Sequence, residues 1–375
     1  MTAINPGPGM PAFYPPEYPP ELYPPESVNL HKRAKTGGRP PGILVGLVVV
    51  TTILGRPVLP SASAQNPVLD SPPATAAQPT RPGTGRMTGE MAYEVLNRVC
   101  QLGPRICGSV AMIEQQQMLT DHFQKLGASV TRQTFSVRHP VNGTPVELCN
   151  LIVQFHPQRM NRILIACHYD TRPFPDRDSE NPTGLFLGAN DGASGVGLLC
   201  ELGTFMPGLE SEFGVDFVFF DGEEFIFQQG RDPYLLGSTW FARSYAARPP
   251  AWRYSAGVLV DMIGDKDLNL YYEKNSWRDA RDITRQIWDV ARREGVEEFV
   301  PRTRHEVRDD HLPLIQIAGI PTCDIIDFDF PSPSSTPKNK YWHTTQDTPD
   351  KCSAESLAKV GNVILAWLRE VRVQR

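Results

Sequence analysis

The chain has 375 residues, 40% of them hydrophobic and 21% charged, with a formal net charge of -5. That length and apolar fraction are enough for one large core. The acidic balance carries no basic footprint, which excludes nucleic acid as the expected partner.

Residues 1–42 read as a disordered leader, Pro-rich in "PAFYPPEYPPELYPPE" and basic in "HKRAKTGGR" (His31 to Arg39). The apolar run Ile43 to Leu54 follows, and Ala62-Ser63-Ala64 offers a small-residue cleavage site. Residues 43–64 therefore read as a secretory signal cleaved after Ala64, or as a retained anchor through 43–54, although the run is short for a membrane span. Either way the protein is expected to be exported, periplasmic or secreted. Residues 65–86 are a Pro/Ala/Thr linker, and the folded catalytic part is expected over 87–375, as a monomer. Seven cysteines show no CxxC pairing; in an exported chain Cys100 and Cys107 are local candidates for a disulfide.

Within the folded part, Gly89 to Gly103 and Ile113 to Gly127 have helical spacing, the second stopped by its glycine. "ASVTRQTFSVRH" alternates as a strand, "VELCNLIVQFH" follows it, and the apolar run of "NRILIACHYD" reads as a central strand. "GASGVGLLCELGTFM" is a helix, "VDFVFFDGEE" and "AGVLVDMIGD" are strands, and "SWRDARDITRQIWDVARREG" is one long helix. "GIPTCDIIDFD" is a late strand, and a closing helix begins near Ser353 and Glu355. Alternating strands and helices predict an α/β three-layer sandwich, a mostly parallel mixed sheet flanked by helices.

The residues able to do chemistry recur after strand ends, where open α/β sheets bind ligands. His168 and Asp170 are two apart, so the carboxylate can orient the imidazole towards a metal. Asp191 enters a helix from a glycine-rich turn, which suits either a metal ligand or a simple N-cap. In "FFDGEEF" one glutamate can bind a metal while its neighbour faces substrate as general acid/base. Asp261 ends another apolar run, and His343 stands in "YWHTTQDTPD". Aspartate, glutamate and histidine without thiolate suit Zn²⁺. GxSxG, Walker A, GxGxxG and HExxH are all missing, so serine-hydrolase, nucleotide-binding and single-helix zincin chemistry lose support.

Taken in order, "CHYDTR", "LGANDGASG", "FFDGEEF", "LLGSTWFA", "VDMIGD", "DDHLPL", "GIPTCDIID" and "YWHTTQDTPD" resemble the M28-type zinc exopeptidases, and within them the glutaminyl-peptide cyclotransferases. The cyclase resemblance implies one zinc on Asp191, Glu224 and His343, with Glu223 as proton shuttle and Asp261 and Asp309 in an acidic network beside it. The aminopeptidase resemblance implies a second zinc, with His168 and Asp261 as further ligands and Asp191 bridging. Trp342, and Phe225 where cyclases carry a tryptophan, would contact the substrate, which is the N-terminus of a peptide or protein. The chain departs from the cyclase pattern at that position and at Asp324, where cyclases have histidine. Three readings follow: cyclisation of N-terminal glutamine, di-zinc aminopeptidase hydrolysis, and a binding module that has lost catalysis. The intact Glu223 weighs against the last.

Overall fold

A computed structural model describes residues 85–373; the leader, the apolar run 43–54 and most of the linker lie outside them. Two helices come first, α1 (Glu90–Gln101) and α2 (Val110–Lys125), followed by strands β1 (Ser129–Arg138), β2 (Pro145–Phe155) and β3 (Asn161–His168). Then come α3 (Ala193–Gly203), β4 (Gly214–Phe220), α4 (Leu236–Ala247), β5 (Arg253–Asp261) and β6 (Leu270–Tyr272). The rest is α5 (Lys274–Asp279), α6 (Arg281–Glu294), β7 (Phe299–Thr303), α7 (His311–Gln316), β8 (Thr322–Ile326) and α8 (Ala354–Glu370).

The six-stranded sheet runs β1-β2-β4-β3-β5-β8. β1 and β2 are antiparallel to their neighbours, while β4, β3, β5 and β8 pair in parallel. Alternation along the central strands feeds both faces. Ile163, Ile165 and Cys167 of β3, with Val215, Phe217 and Phe219 of β4, pack with α1, α3, α6 and α8 residues such as Leu96, Leu199, Ile287 and Ile364. Leu164, Ala166, Val218 and Phe220 face the other way, onto Phe241 of α4 and Leu314 of α7. This is the expected three-layer sandwich.

Two details differ from the expectation. The long helix over "SWRDARDITRQIWDVARREG" is broken at Ala280, whose φ of -133 leaves the helical region. The break serves two anchors: Ser276 Oγ accepts the Asp324 N–H of β8 at 3.0 Å, while α6 turns Ile283, Ile287 and Trp288 into the core. The seven cysteines are all buried free thiols, so Cys100 and Cys107, the local candidates for a disulfide, are not joined. Among the described residues no helix is long and apolar enough to cross a membrane.

The parallel order carries the ends of β3, β4 and β5 to one edge of the sheet. His168, the loop from Asp221, and Asp261 meet there.

Candidate metal centre and active site

Asp191 stands where three segments converge. Its Oδ2 lies 3.4 Å from His343 Nε2, and its Oδ1 lies 3.2 Å from His168 Nε2. His343 Nε2 is also 2.8 Å from Glu224 Oε1, and His168 Nε2 is 3.2 Å from Asp261 Oδ1. Two donor groups thus share one aspartate: Asp191, Glu224 and His343 on one side, His168, Asp191 and Asp261 on the other. Close approach of His168 requires glycine at 192, because a Cβ there would sit 2.5 Å from the His168 ring nitrogen.

The first group fits a zinc ion. Zinc bonds of about 2.0–2.2 Å in a tetrahedron leave ligand atoms roughly 3.3 Å apart, close to the spacing here. The donors are oxygen and imidazole nitrogen, and apart from the ion-pair contact with His343 the buried Asp191 Oδ2 has no hydrogen-bond donor to satisfy it. Burial pulls the His343 imidazole down, but Glu224, Asp176 and Asp191 outweigh it and hold it up at about 10. The pocket therefore favours positive charge at this spot. His343 itself is in the left-handed region, φ 57, a conformation a non-glycine residue keeps only when its surroundings impose it.

The ligands are fixed by neighbours that the sequence reading did not assign. Arg172 donates from Nη1 to Glu224 at 3.0 Å and from its backbone N–H at 3.2 Å, and grips Asp176 through two bonds of 2.9 Å. Asp176 in turn lies 3.5 Å from His343 Nδ1. Burial acts to raise its carboxyl, yet His343 and Arg172 hold it down at about 2. From the far side, Asp347 accepts the N–H groups of Asn190 and Asp191 at 2.8 and 3.1 Å, tying the Asp191 turn to the His343 loop. Partners of this kind set ligand orientation and affinity. Asp176→Asn is expected to weaken zinc binding about 10- to 100-fold, read by competition with a chromophoric chelator, with unchanged circular dichroism.

Asp170 has a larger task than orienting His168. At 3.7 Å from Nδ1 it is beyond hydrogen-bond range of the imidazole. It accepts the N–H groups of Glu223 and Glu224 at 3.2 and 2.9 Å instead, and so fixes both glutamates at the end of β4. Gly222, φ 81, makes the turn, and Asp221 braces it by accepting the Cys149 N–H at 2.8 Å.

The two glutamates then diverge. Glu224 is buried among the donors; Glu223 is half-buried and faces a cavity of about 360 Å³. Asp191, Asp261, Asp309, Trp342 and His343 line the same cavity. Desolvation raises the Glu223 carboxyl well above the carboxylate range, the charge of Glu224 adds to it, and His168 opposes. Burial and Asp261 push Asp309 up to about 7. Asp261 is raised too, by burial first, against the pull of His168. Asp309, pushed to about 7, is placed to exchange a proton near neutral pH beside two carboxyls whose environment also favours holding a proton.

Trp342 forms a wall of the cavity, its ring edge-on to Phe328 at 4.9 Å and covered by the Arg177 guanidinium at 4.3 Å. Phe225 does not line it. After the Gly222 turn its side chain drops under the sheet and is 1% exposed, packed with Ile106, Phe135 and Leu148. The expectation of a substrate contact from Phe225 is therefore corrected; Ile326 and Phe328 supply the apolar surface. Asp324 is also away from the cavity lining, buried 3.5 Å from His311 Nδ1.

Comparison with known proteins agrees with this geometry. The model of peptidase family M28 matches residues 150–368. A solved glutaminyl cyclase from Fimbriiglobus ruber is 38% identical, with a TM-score of 0.71 over 78% of this chain and 99% of that one. A structure described as a leucine aminopeptidase precursor from Bacteroides thetaiotaomicron is 29% identical, with a TM-score of 0.69 over 77% and 99%. The glutaminyl-peptide cyclotransferase of Drosophila melanogaster is 23% identical over 282 residues, 68% of this chain and 75% of its own. With more than half of the chain inside the family match and almost all of a solved cyclase aligned, the chain belongs to peptidase family M28 and, within it, to the glutaminyl cyclases.

Proposed function

We propose that the protein is a zinc-dependent glutaminyl-peptide cyclotransferase, converting N-terminal glutamine to pyroglutamate with release of ammonia. The observation that carries this reading is the meeting, in one cavity, of the Asp191, Glu224 and His343 donors with the half-buried Glu223 and with Asp309. When bound there, zinc supplies Lewis-acid polarisation of the side-chain amide. The chain's own residues do the rest. Trp342, Phe328 and Ile326 hold the aliphatic part of the glutamine, and the acidic interior draws in its α-ammonium.

The bound ammonium first gives up one proton to solvent, and Glu223 then takes a second proton from the free α-amine as the nitrogen attacks the amide carbon. The new bond closes a five-membered lactam, the bond to the amide nitrogen breaks, and Glu223 returns the proton to departing ammonia. Asp309 and Asp261 keep that proton mobile by sharing its environment. Both reacting groups belong to one residue, so holding a single productive conformer supplies most of the catalysis. We assign one zinc to this reaction. The same reading takes the enzyme to be an exported monomer acting on peptide and protein N-termini.

A second reading has its own observation. The His168, Asp191 and Asp261 donors are complete, which would allow a second zinc and a di-zinc aminopeptidase. Purified protein given a Gln-initiated peptide and a Leu-initiated chromogenic amide separates the two. Ammonia release with loss of its mass from the peptide, at one zinc per chain, is the expected result. Leucine release without ammonia, at two zincs per chain, would overturn it in favour of the peptidase. Removal of metal by a chelator is expected to abolish turnover, and added zinc to restore it.

A further inference from the structure

The charge of the cavity is lopsided. Its inner end is acidic, while its exposed lining holds one carboxylate, Glu306, and one arginine, Arg308, the single cation among the described lining residues apart from His343. Arg308 is exposed and stacks its guanidinium over the Tyr234 ring, 5.0 Å from the centroid. Tyr234 is itself a fixed shelf: its hydroxyl accepts from Arg172 Nη2 at 3.4 Å, and the Arg172 guanidinium covers the ring at 5.9 Å. Among the described residues no carboxylate pairs with Arg308 within ion-pair distance. The nearby Glu306 is directed to Lys274, 4.0 Å away. A stacked arginine with its donors unclaimed is preorganised for a planar anion.

The chain direction decides what meets it. An N-terminal glutamine must bring both its amine and its side-chain amide to Glu223 at the inner end, so its backbone carbonyl points outward. The next side chain is then the first to reach the mouth. Arg308 adjoins Asp309 in the chain, but Asp309 is buried and Arg308 is exposed, so the arginine stands at the solvent end of the cavity.

We infer that Arg308 is a specificity-determining residue that recruits a carboxylate immediately after the N-terminal glutamine. This rests on the cyclase reading and names a substrate class within it. The carboxylate has two sources, an aspartate or glutamate side chain in a longer peptide, or the C-terminus of a dipeptide. Both are bidentate partners for guanidinium. The site is solvent-facing, so the effect is modest, sensitive to salt, and expressed in KM.

The test measures ammonia release from Gln-Asp-Ala-amide, Gln-Ala-Ala-amide and Gln-Lys-Ala-amide, and from Gln-Ala with a free or amidated C-terminus. The expected kcat/KM of the aspartyl peptide exceeds that of the alanyl peptide about three- to fivefold at low salt, with lysine lowest, and the gap narrows at high salt. Preference for the free C-terminus in the dipeptide pair identifies the second source. Arg308→Ala should erase the aspartate-to-lysine ratio, Arg308→Glu should invert it, and Arg308→Lys should keep most of it. Equal rates for all wild-type peptides, or an undiminished ratio in Arg308→Ala, would overturn the assignment. Absence of ammonia from every peptide would instead bring down the cyclase reading, and this inference with it.

Discussion

Glu223→Gln is expected to lower kcat on a Gln-initiated peptide by about 10²- to 10⁴-fold while zinc content stays at its wild-type value. Glutamine has the shape of glutamate but cannot take the amine's proton or return it to ammonia. The main chain at this position has no reason to move, because the Glu223 and Glu224 N–H groups stay anchored on Asp170. The donor group stays complete as well, since Glu223 is outside it. The neighbouring change, Glu224→Gln, should behave in the opposite way. It weakens a donor that lies 2.8 Å from His343 Nε2 and removes the charge that Arg172 grips at 3.0 Å, so metal is lost along with activity. Metal analysis beside an ammonia assay reads both variants. Loss of zinc from Glu223→Gln with retention in Glu224→Gln would exchange the two roles.

That adjacent glutamates could be given different work from sequence alone reflects where they sit. A buried strand ending at Asp221-Gly222 announces a turn, and the other acidic strand ends announce a shared edge. The parallel order of β4, β3 and β5 then brings those ends together whatever the loops do. What escaped notice works through the loops. Arg172, Asp176 and Asp347 act by touching ligands across long sequence separations, and no periodicity marks them. The direction of Phe225 depends on the positive φ of Gly222, which turns the chain under the sheet and which the residue order does not reveal. The three-residue β6, paired with β7, is too short for alternation to register. The break at Ala280 is not marked by any glycine or proline in the sequence; it accompanies a tertiary bond from β8 to Ser276 that no local pattern reveals.

Arg162 was hidden in the same way, inside a strand that reads as a continuous apolar run. It is fully buried and pairs with the equally buried Asp216 of β4. Its remaining donors go to the carbonyls of Phe155, His156 and Arg159 at 2.8, 2.9 and 3.1 Å. Asp216 also accepts from Tyr254 at 2.7 Å and from Gln154 at 3.1 Å. Arg162→Met removes the cation and leaves a buried carboxylate with only neutral donors, which is expected to cost about 3–5 kcal/mol of stability. Arg162→Met combined with Asp216→Leu should recover part of that loss, because no charge is left uncompensated. Recovery should stop short of wild type, since Tyr254 and Gln154 then lose their acceptor. Urea unfolding of the two variants measures this. Arg162 and His168 are six residues apart on β3, about 20 Å, so zinc content and turnover per folded molecule should be unchanged in both. A single variant that loses less than about 1 kcal/mol, or a double variant no more stable than the single one, would show that the pair is solvated and not a fixed element of the sheet's far end.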